Sequence, residues 1–98
     1  MVDIRTHRLI DCDVEEGVDY LQSKASDRVA KDFFDDYRRT FKRIEENPFQ
    51  FGEEADGIRH AAFDKFPYSI LYEIRPSHVW LFAVSHHARQ PGTYDRRR

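Results

Sequence analysis

The chain is poor in the residues that cross-link or break up a fold: of 98 residues, one is cysteine, four are glycine and four are proline. A lone Cys12 makes no internal disulfide, and without a second cysteine or histidine at ligand spacing it points to no zinc site. It reads as a small hydrophobe inside a strand. No apolar run approaches the roughly 20 residues of a membrane span. The segment Met1-Val2-Asp3-Ile4-Arg5 carries no signal-peptide stretch, so a cytoplasmic protein that does not engage a membrane is expected. A glycine-rich phosphate loop, a defensible Ser-His-Asp order and an isolated carboxylate pair are all missing, which leaves nucleotide-binding and hydrolase readings weak.

Bulky side chains are plentiful. Eight Phe, five Tyr and one Trp supply a core large enough for one domain spanning residues 1–98. The net charge of −2 conceals an asymmetry: residues 1–56 hold 9 basic and 15 acidic residues, residues 57–98 hold 7 and 3, and four of the five histidines fall in the second part. Acidic or phosphate-bearing partners are therefore expected on the C-terminal half, although the whole chain is not basic enough to announce nucleic-acid binding by charge.

Hydrophobic periodicity divides the chain into six elements. Ile4–Cys12 reads as a strand, and Asp13 with Glu16 resembles a capping box opening a helix to about Lys24, with Val14, Val18, Leu21 and Ala25 on one face. Ser26 or Asp27 caps a second helix whose apolar set is Ala30, Phe33, Phe34, Tyr37, Phe41 and Ile44, ended by Asn47-Pro48. Its basic residues Arg38, Arg39, Lys42 and Arg43 alternate with acids and read as a solvated, ion-paired face. Beyond a loop with Gly52 and Gly57, the period changes to two. Strands are expected at Ile58–Phe63, Pro67–Ile74 and Val79–His86, the last covered on both faces, with Leu81 and Ala83 opposite Trp80, Phe82 and Val84. The expected fold is α+β, β-α-α-β-β-β, with a helical hairpin on one face of a small, mainly antiparallel sheet and the first strand beside the last. Arg96-Arg97-Arg98 reads as a solvated tail.

Candidate chemistry gathers at the end of the last strand. In a metal-free ribonuclease, His86 or His87 and Tyr94 can serve as base and acid, with Arg89 and Arg59 holding the phosphate. Adjacent histidines on a strand point to opposite faces, so His86 and His87 do not suggest a metal, and no cofactor is expected. Tyr20, Phe34 and Tyr37 exceed what a narrow inward stripe needs and are the expected docking surface for a partner.

Four ordered blocks resemble the RelE/ParE toxin superfamily: Arg43-Ile44-Glu45-Glu46-Asn47-Pro48, Ile58-Arg59, Phe66-Pro67-Tyr68-Ser69-Ile70-Leu71-Tyr72, and Ala83-Val84-Ser85-His86-His87-Ala88-Arg89-Gln90-Pro91. The resemblance covers most of the chain. It implies the growth-arresting toxin of a bacterial type II toxin-antitoxin pair of the plasmid-stabilisation type. A cognate antitoxin would neutralise it by wrapping a C-terminal segment around it, and oligomers would arise through that complex. Two branches differ in target: RelE-like members cut mRNA on the ribosome, and ParE-like members inhibit DNA gyrase without known catalytic side chains. In the RelE-like pattern an arginine follows the aromatic that matches Tyr68. Here that position is Ser69, preceded by the acidic Glu53-Glu54-Ala55-Asp56, which favours the ParE-like branch. Arg89 and Tyr94 roughly match the RelE-like C-terminal arginine and tyrosine and keep the ribonuclease as the alternative.

Overall fold

The first strand is short because the backbone turns at His7. In the computed structural model, which describes residues 2–90 and 92–98, β1 spans Ile4–Thr6. The imidazole Nδ1 of His7 then accepts the Leu9 N–H at 3.0 Å and its carbonyl accepts the Ile10 N–H, which starts helix α1 (Ile10–Lys24). The expected strand Ile4–Cys12 and the expected cap at Asp13 are therefore corrected. Cys12 lies exposed on α1, not in a strand. Asp13 lies inside the first turn, buried, where its carboxylate accepts the Val84 N–H.

Helix α2 (Asp27–Glu46) follows the sequence pattern closely. The Ser26 hydroxyl accepts the Val29 N–H, and Asn47-Pro48 terminates the helix. Phe33 and Ile44 are fully buried and Ala30 nearly so. The two helices approach closely at Gly17, where an added Cβ would fall 2.6 Å from the Phe33 ring. On the polar face, Arg39 pairs with Asp36, and Arg39 and Arg43 both reach Asp64 in the turn between the next two strands. Part of the expected ion-paired face thus ties the helix to the sheet.

Three strands follow: β2 (Arg59–Ala62), β3 (Tyr68–Ile74) and β4 (Val79–His86). The sheet order is β1-β4-β3-β2, with β1 parallel to β4 and the other pairs antiparallel. The α+β, β-α-α-β-β-β architecture and the placement of the first strand beside the last agree with the sequence reading. One face of the sheet packs on the helices through Ile70, Tyr72, Val79, Leu81 and Val84. The other carries a smaller cluster of Leu71, Phe82 and Ala83, against which Ile58, Trp80 and Tyr94 pack.

The strict alternation expected along β4 fails at one residue. Leu71 pairs with Ala83 and Tyr72 with Leu81, so Phe82 is the extra residue of a β-bulge. A bulge shifts the phase of every side chain beyond it. Val84 consequently joins Leu81 in the helix-facing core, while Ala83 joins Phe82 on the other face.

Of the three C-terminal arginines expected as a solvated tail, Arg96 is exposed, but Arg97 and Arg98 are engaged. Arg97 makes two hydrogen bonds to the Asp13 carboxylate, 2.6 and 3.1 Å, and Arg98 pairs with Glu73. The Arg97 carbonyl accepts the Trp80 indole N–H. Segment 92–98 is thereby fastened along β4. Met1 and Pro91, the last residue of the fourth resemblance block, lie outside the described residues.

Candidate functional site

The end of β4 lies between two hollows. A cleft of about 440 Å³ separates it from α1, lined by Glu16, Tyr20, Tyr68, His86, Arg89 and Tyr94 among others. A wider groove of about 780 Å³ covers the sheet face opposite the helices, where His60, Ser69, His87, Arg89 and Tyr94 meet the acids Glu54, Asp56 and Asp95. Arg89 and Tyr94 border both hollows. The structure therefore brings together four of the expected residues, His86, His87, Arg89 and Tyr94.

The two histidines diverge, as alternation requires. His86 continues the helix-facing side: its ring meets Tyr68 edge-on at 4.9 Å and its Nδ1 accepts the Ala88 N–H, which occupies it in closing the strand. His87 lies on the open face, with Nε2 2.8 Å from the Ser69 hydroxyl and its backbone N–H donated to Pro67 O. Ser69, buried on the floor of the groove, orients this ring. Both histidines line the groove, and His86 borders the cleft as well.

Tyr94 is held from two sides, its ring packed against the Leu71, Phe82 and Ala83 cluster and the Arg97 guanidinium 4.7 Å from its centroid. Arg89 is exposed and has no ion-pair partner among the described residues. Its charge is felt at Tyr68, whose phenol is raised above the ordinary tyrosine value chiefly by burial, with Tyr20 and Tyr94 adding and Arg89 opposing.

Arg59 does not belong to this group. It pairs across the sheet with Tyr72, so it shares the helix-facing side, and there its guanidinium donates to Phe51 O at 2.7 Å and lies over the Phe49 ring. It lines neither hollow. The neighbouring His60, paired with Leu71, occupies the open face instead. Period-two alternation carried that signal, since of two adjacent strand residues only one can face the groove.

Of the three aromatics expected to form one docking surface, Tyr20 stands apart while Phe34 and Tyr37 stay in contact, ring centroids 6.2 Å apart. Tyr20, 58% exposed, lines the cleft beside Arg89. Phe34, 41% exposed, lies on the outer surface of the helix pair. Tyr37 is half-buried among Phe34, Phe41 and Phe63, and burial, aided by Asp11, pushes its phenol up to about 12.

No protein-family model matches the chain, and no curated protein matches it in sequence. Ten chains of solved structures do match in fold. One, from a structure described as "Chromosomal ParDE TA system from P. aeruginosa", has a TM-score of 0.76 and 15% sequence identity, covering 88% of this chain and 96% of that one. This chain shares the fold of that one. Within that fold, the position after Tyr68 holds a serine hydrogen-bonded to His87. Among the described residues, no helix is long and apolar enough to cross a membrane.

Proposed function

We propose that the protein is the toxin of a bacterial type II toxin-antitoxin pair, acting in the ParE-like manner by binding a topoisomerase, DNA gyrase, without catalysing a reaction. The fold shared with a chain of the ParDE system supports the toxin role. The observation that carries the choice of branch is where the cations are engaged. Cleavage of RNA builds negative charge on the phosphate, and several cations must meet it. Here Arg97 is bound to Asp13, Arg98 to Glu73 and Arg59 to a backbone carbonyl. Ser69 stands in place of the further arginine. Among the described residues lining the two hollows, that leaves Arg89 as the free guanidinium. Partner contact is served by what the cleft offers, an exposed Tyr20 beside Arg89.

The alternative, a ribosome-dependent ribonuclease, draws on one observation: His87, Arg89 and Tyr94 border a single groove. Under it, His87 accepts the attacking hydroxyl's proton, Tyr94 protonates the leaving oxygen and Arg89 holds the phosphate.

Transcriptome-wide mapping of RNA 5′ ends minutes after induction in bacteria separates the two. Growth arrest with intact mRNA, together with loss of gyrase supercoiling activity in vitro, is the outcome expected here. New ends inside translated codons that vanish in Arg89→Ala would overturn it in favour of the ribonuclease, and absence of arrest would overturn both.

A further inference from the structure

Of the five tyrosines, Tyr20 alone is exposed. It follows three acids, Glu15, Glu16 and Asp19. The buried residues of α1, Ile10, Asp13, Val14 and Gly17, all precede it, so the turns around Tyr20 are the loosely held part of the helix and open at low cost. An accessible phenol, carried on a segment able to unwind and preceded by acids, suits a tyrosine kinase with a basic substrate groove.

The surroundings of the phenol give its modification a consequence. Tyr20 lines the cleft at the end of β4 together with Arg89 and His86. Tyr20 and Arg89 also act on the same Tyr68 phenol, in opposite senses. Arg89 has no ion-pair partner among the described residues. His86, whose Nδ1 accepts the Ala88 N–H, carries its ring proton on Nε2.

We propose that Tyr20 is a phosphorylation site whose phosphate closes on Arg89. The Tyr20 oxygen attacks the γ-phosphorus of a nucleoside triphosphate held by a separate kinase. The new O–P bond forms as the bond to the diphosphate breaks, and the phenolic proton passes to the kinase's base. The product carries about −1.5 to −2 charges near neutrality. Glu16, one turn back on α1, and the negative end of the helix dipole repel that charge from its own helix. Arg89 meets it with two parallel N–H donors, and His86 with one more. The phosphate outweighs the single charge of the guanidinium, so the cleft changes from attracting the acids of a target to repelling them. The functional half of the inference, loss of target contact, rests on the toxin reading, whereas the phosphate–Arg89 pair is a property of this chain alone.

The experiment uses the full chain made with phosphotyrosine at position 20, its phosphate titrated by phosphorus magnetic resonance. The second ionisation is expected at lower pH than in free phosphotyrosine, because the guanidinium favours the dianion. Arg89→Lys should keep part of that displacement and Arg89→Gln should lose it. Both sites are exposed, so circular dichroism should show an unchanged fold. Equal titration in the three chains overturns the pairing. Incubation of the unmodified chain with a nucleoside triphosphate and a tyrosine kinase selective for acidic contexts should place the phosphate on Tyr20, read by mass spectrometry. No modification, or modification at Tyr94 instead, overturns the site. Inhibition of gyrase supercoiling should weaken about tenfold on phosphorylation, and undiminished inhibition overturns the switch. An unmodified chain that never inhibits gyrase, combined with the displaced titration, would reject the toxin reading and keep the site.

Discussion

Arg97 closes on Asp13 across 84 positions of sequence, with both guanidinium nitrogens on both carboxylate oxygens. The pair is largely shielded, with side-chain exposures of 19% and 7%. The Asp13 carboxylate also takes the Val84 N–H just beyond the bulge, and Arg97 reaches the Phe82 carbonyl. One ion pair therefore joins α1, the bulged strand and the C-terminal segment. The arginine's ionisation is strengthened chiefly by its hydrogen bonds to Asp13. Removing Arg97 leaves a shielded carboxylate, and removing Asp13 leaves a shielded guanidinium and an unpaired Val84 N–H, each costing about 3 kcal/mol. Arg97→Ala and Asp13→Ala should each lower the unfolding free energy by that order in urea titrations. The double variant should lose much less than the sum, since the second substitution removes the stranded charge.

Asp36 is fully buried on α2, yet its carboxylate accepts the backbone N–H groups of Asp64 and Lys65 in the β2–β3 turn and is approached by Arg39. It fixes the hairpin against the helix. Asp36→Ala strands two backbone donors, and a loss of about 3 kcal/mol is expected in denaturant unfolding. Amide exchange should accelerate first at residues 64 and 65.

Gly17 carries a steric prediction. Its position against the Phe33 ring leaves no room for a methyl, and the ring is held edge-on by Phe66 and Tyr68. Gly17→Ala would gain helix propensity but push the helices apart, for a net loss of about 1–3 kcal/mol. A thermal melt that rises instead would mean the ring can move aside. Phe33→Leu in the same background should recover part of the loss.

His7 makes stability depend on pH. Desolvation, then the charges of Arg97 and Arg8, hold its imidazole below the ordinary value of 6.5, with Asp13 opposing. The neutral ring is also the form that accepts the Leu9 N–H. A histidine whose folded value is depressed contributes stability that is fully present above the unfolded value and is lost as the pH falls below it. Urea midpoints should stay level above about pH 6.5 and decline on acidification. His7→Asn, whose side-chain oxygen can take the same N–H without titrating near neutrality, should flatten that decline.

Periodicity made the second helix legible to within a residue, because Ser26 or Asp27, the i, i+3, i+4 aromatics and Asn47-Pro48 each act locally. The β3 and β4 spans were legible for the same reason, as was the first strand's place beside β4. What escaped depends on partners distant in sequence. Asp13 looks like a cap until Arg97 and Val84 are beside it, and Arg97 looks solvated until Asp13 is found. The bulge at Phe82 has no glycine to announce it, so Val84 was assigned to the wrong side of the sheet. At the candidate site, the convergence of His86, His87, Arg89 and Tyr94 was legible because they follow one strand end. The exclusion of Arg59 required cross-strand register, and the Ser69–His87 hydrogen bond joins residues 18 apart.

The pairing of β1 with β4 also bears on the order in which the molecule assembles and comes apart. Ile4, Arg5 and Thr6 meet Val79, Trp80 and Leu81, so three residues close a loop of more than seventy. Local hairpins are entropically easier to form than such a closure. The β2-β3-β4 meander should therefore assemble before β1 docks, and β1 should be the first strand to leave. Each time it leaves, the Val79–Leu81 stretch of a mostly buried strand becomes an open edge. The three-residue strand thus serves as a stopper against chain-to-chain pairing. Its loss, through truncation or a proline at Arg5, would leave that edge as a nucleus for aggregation.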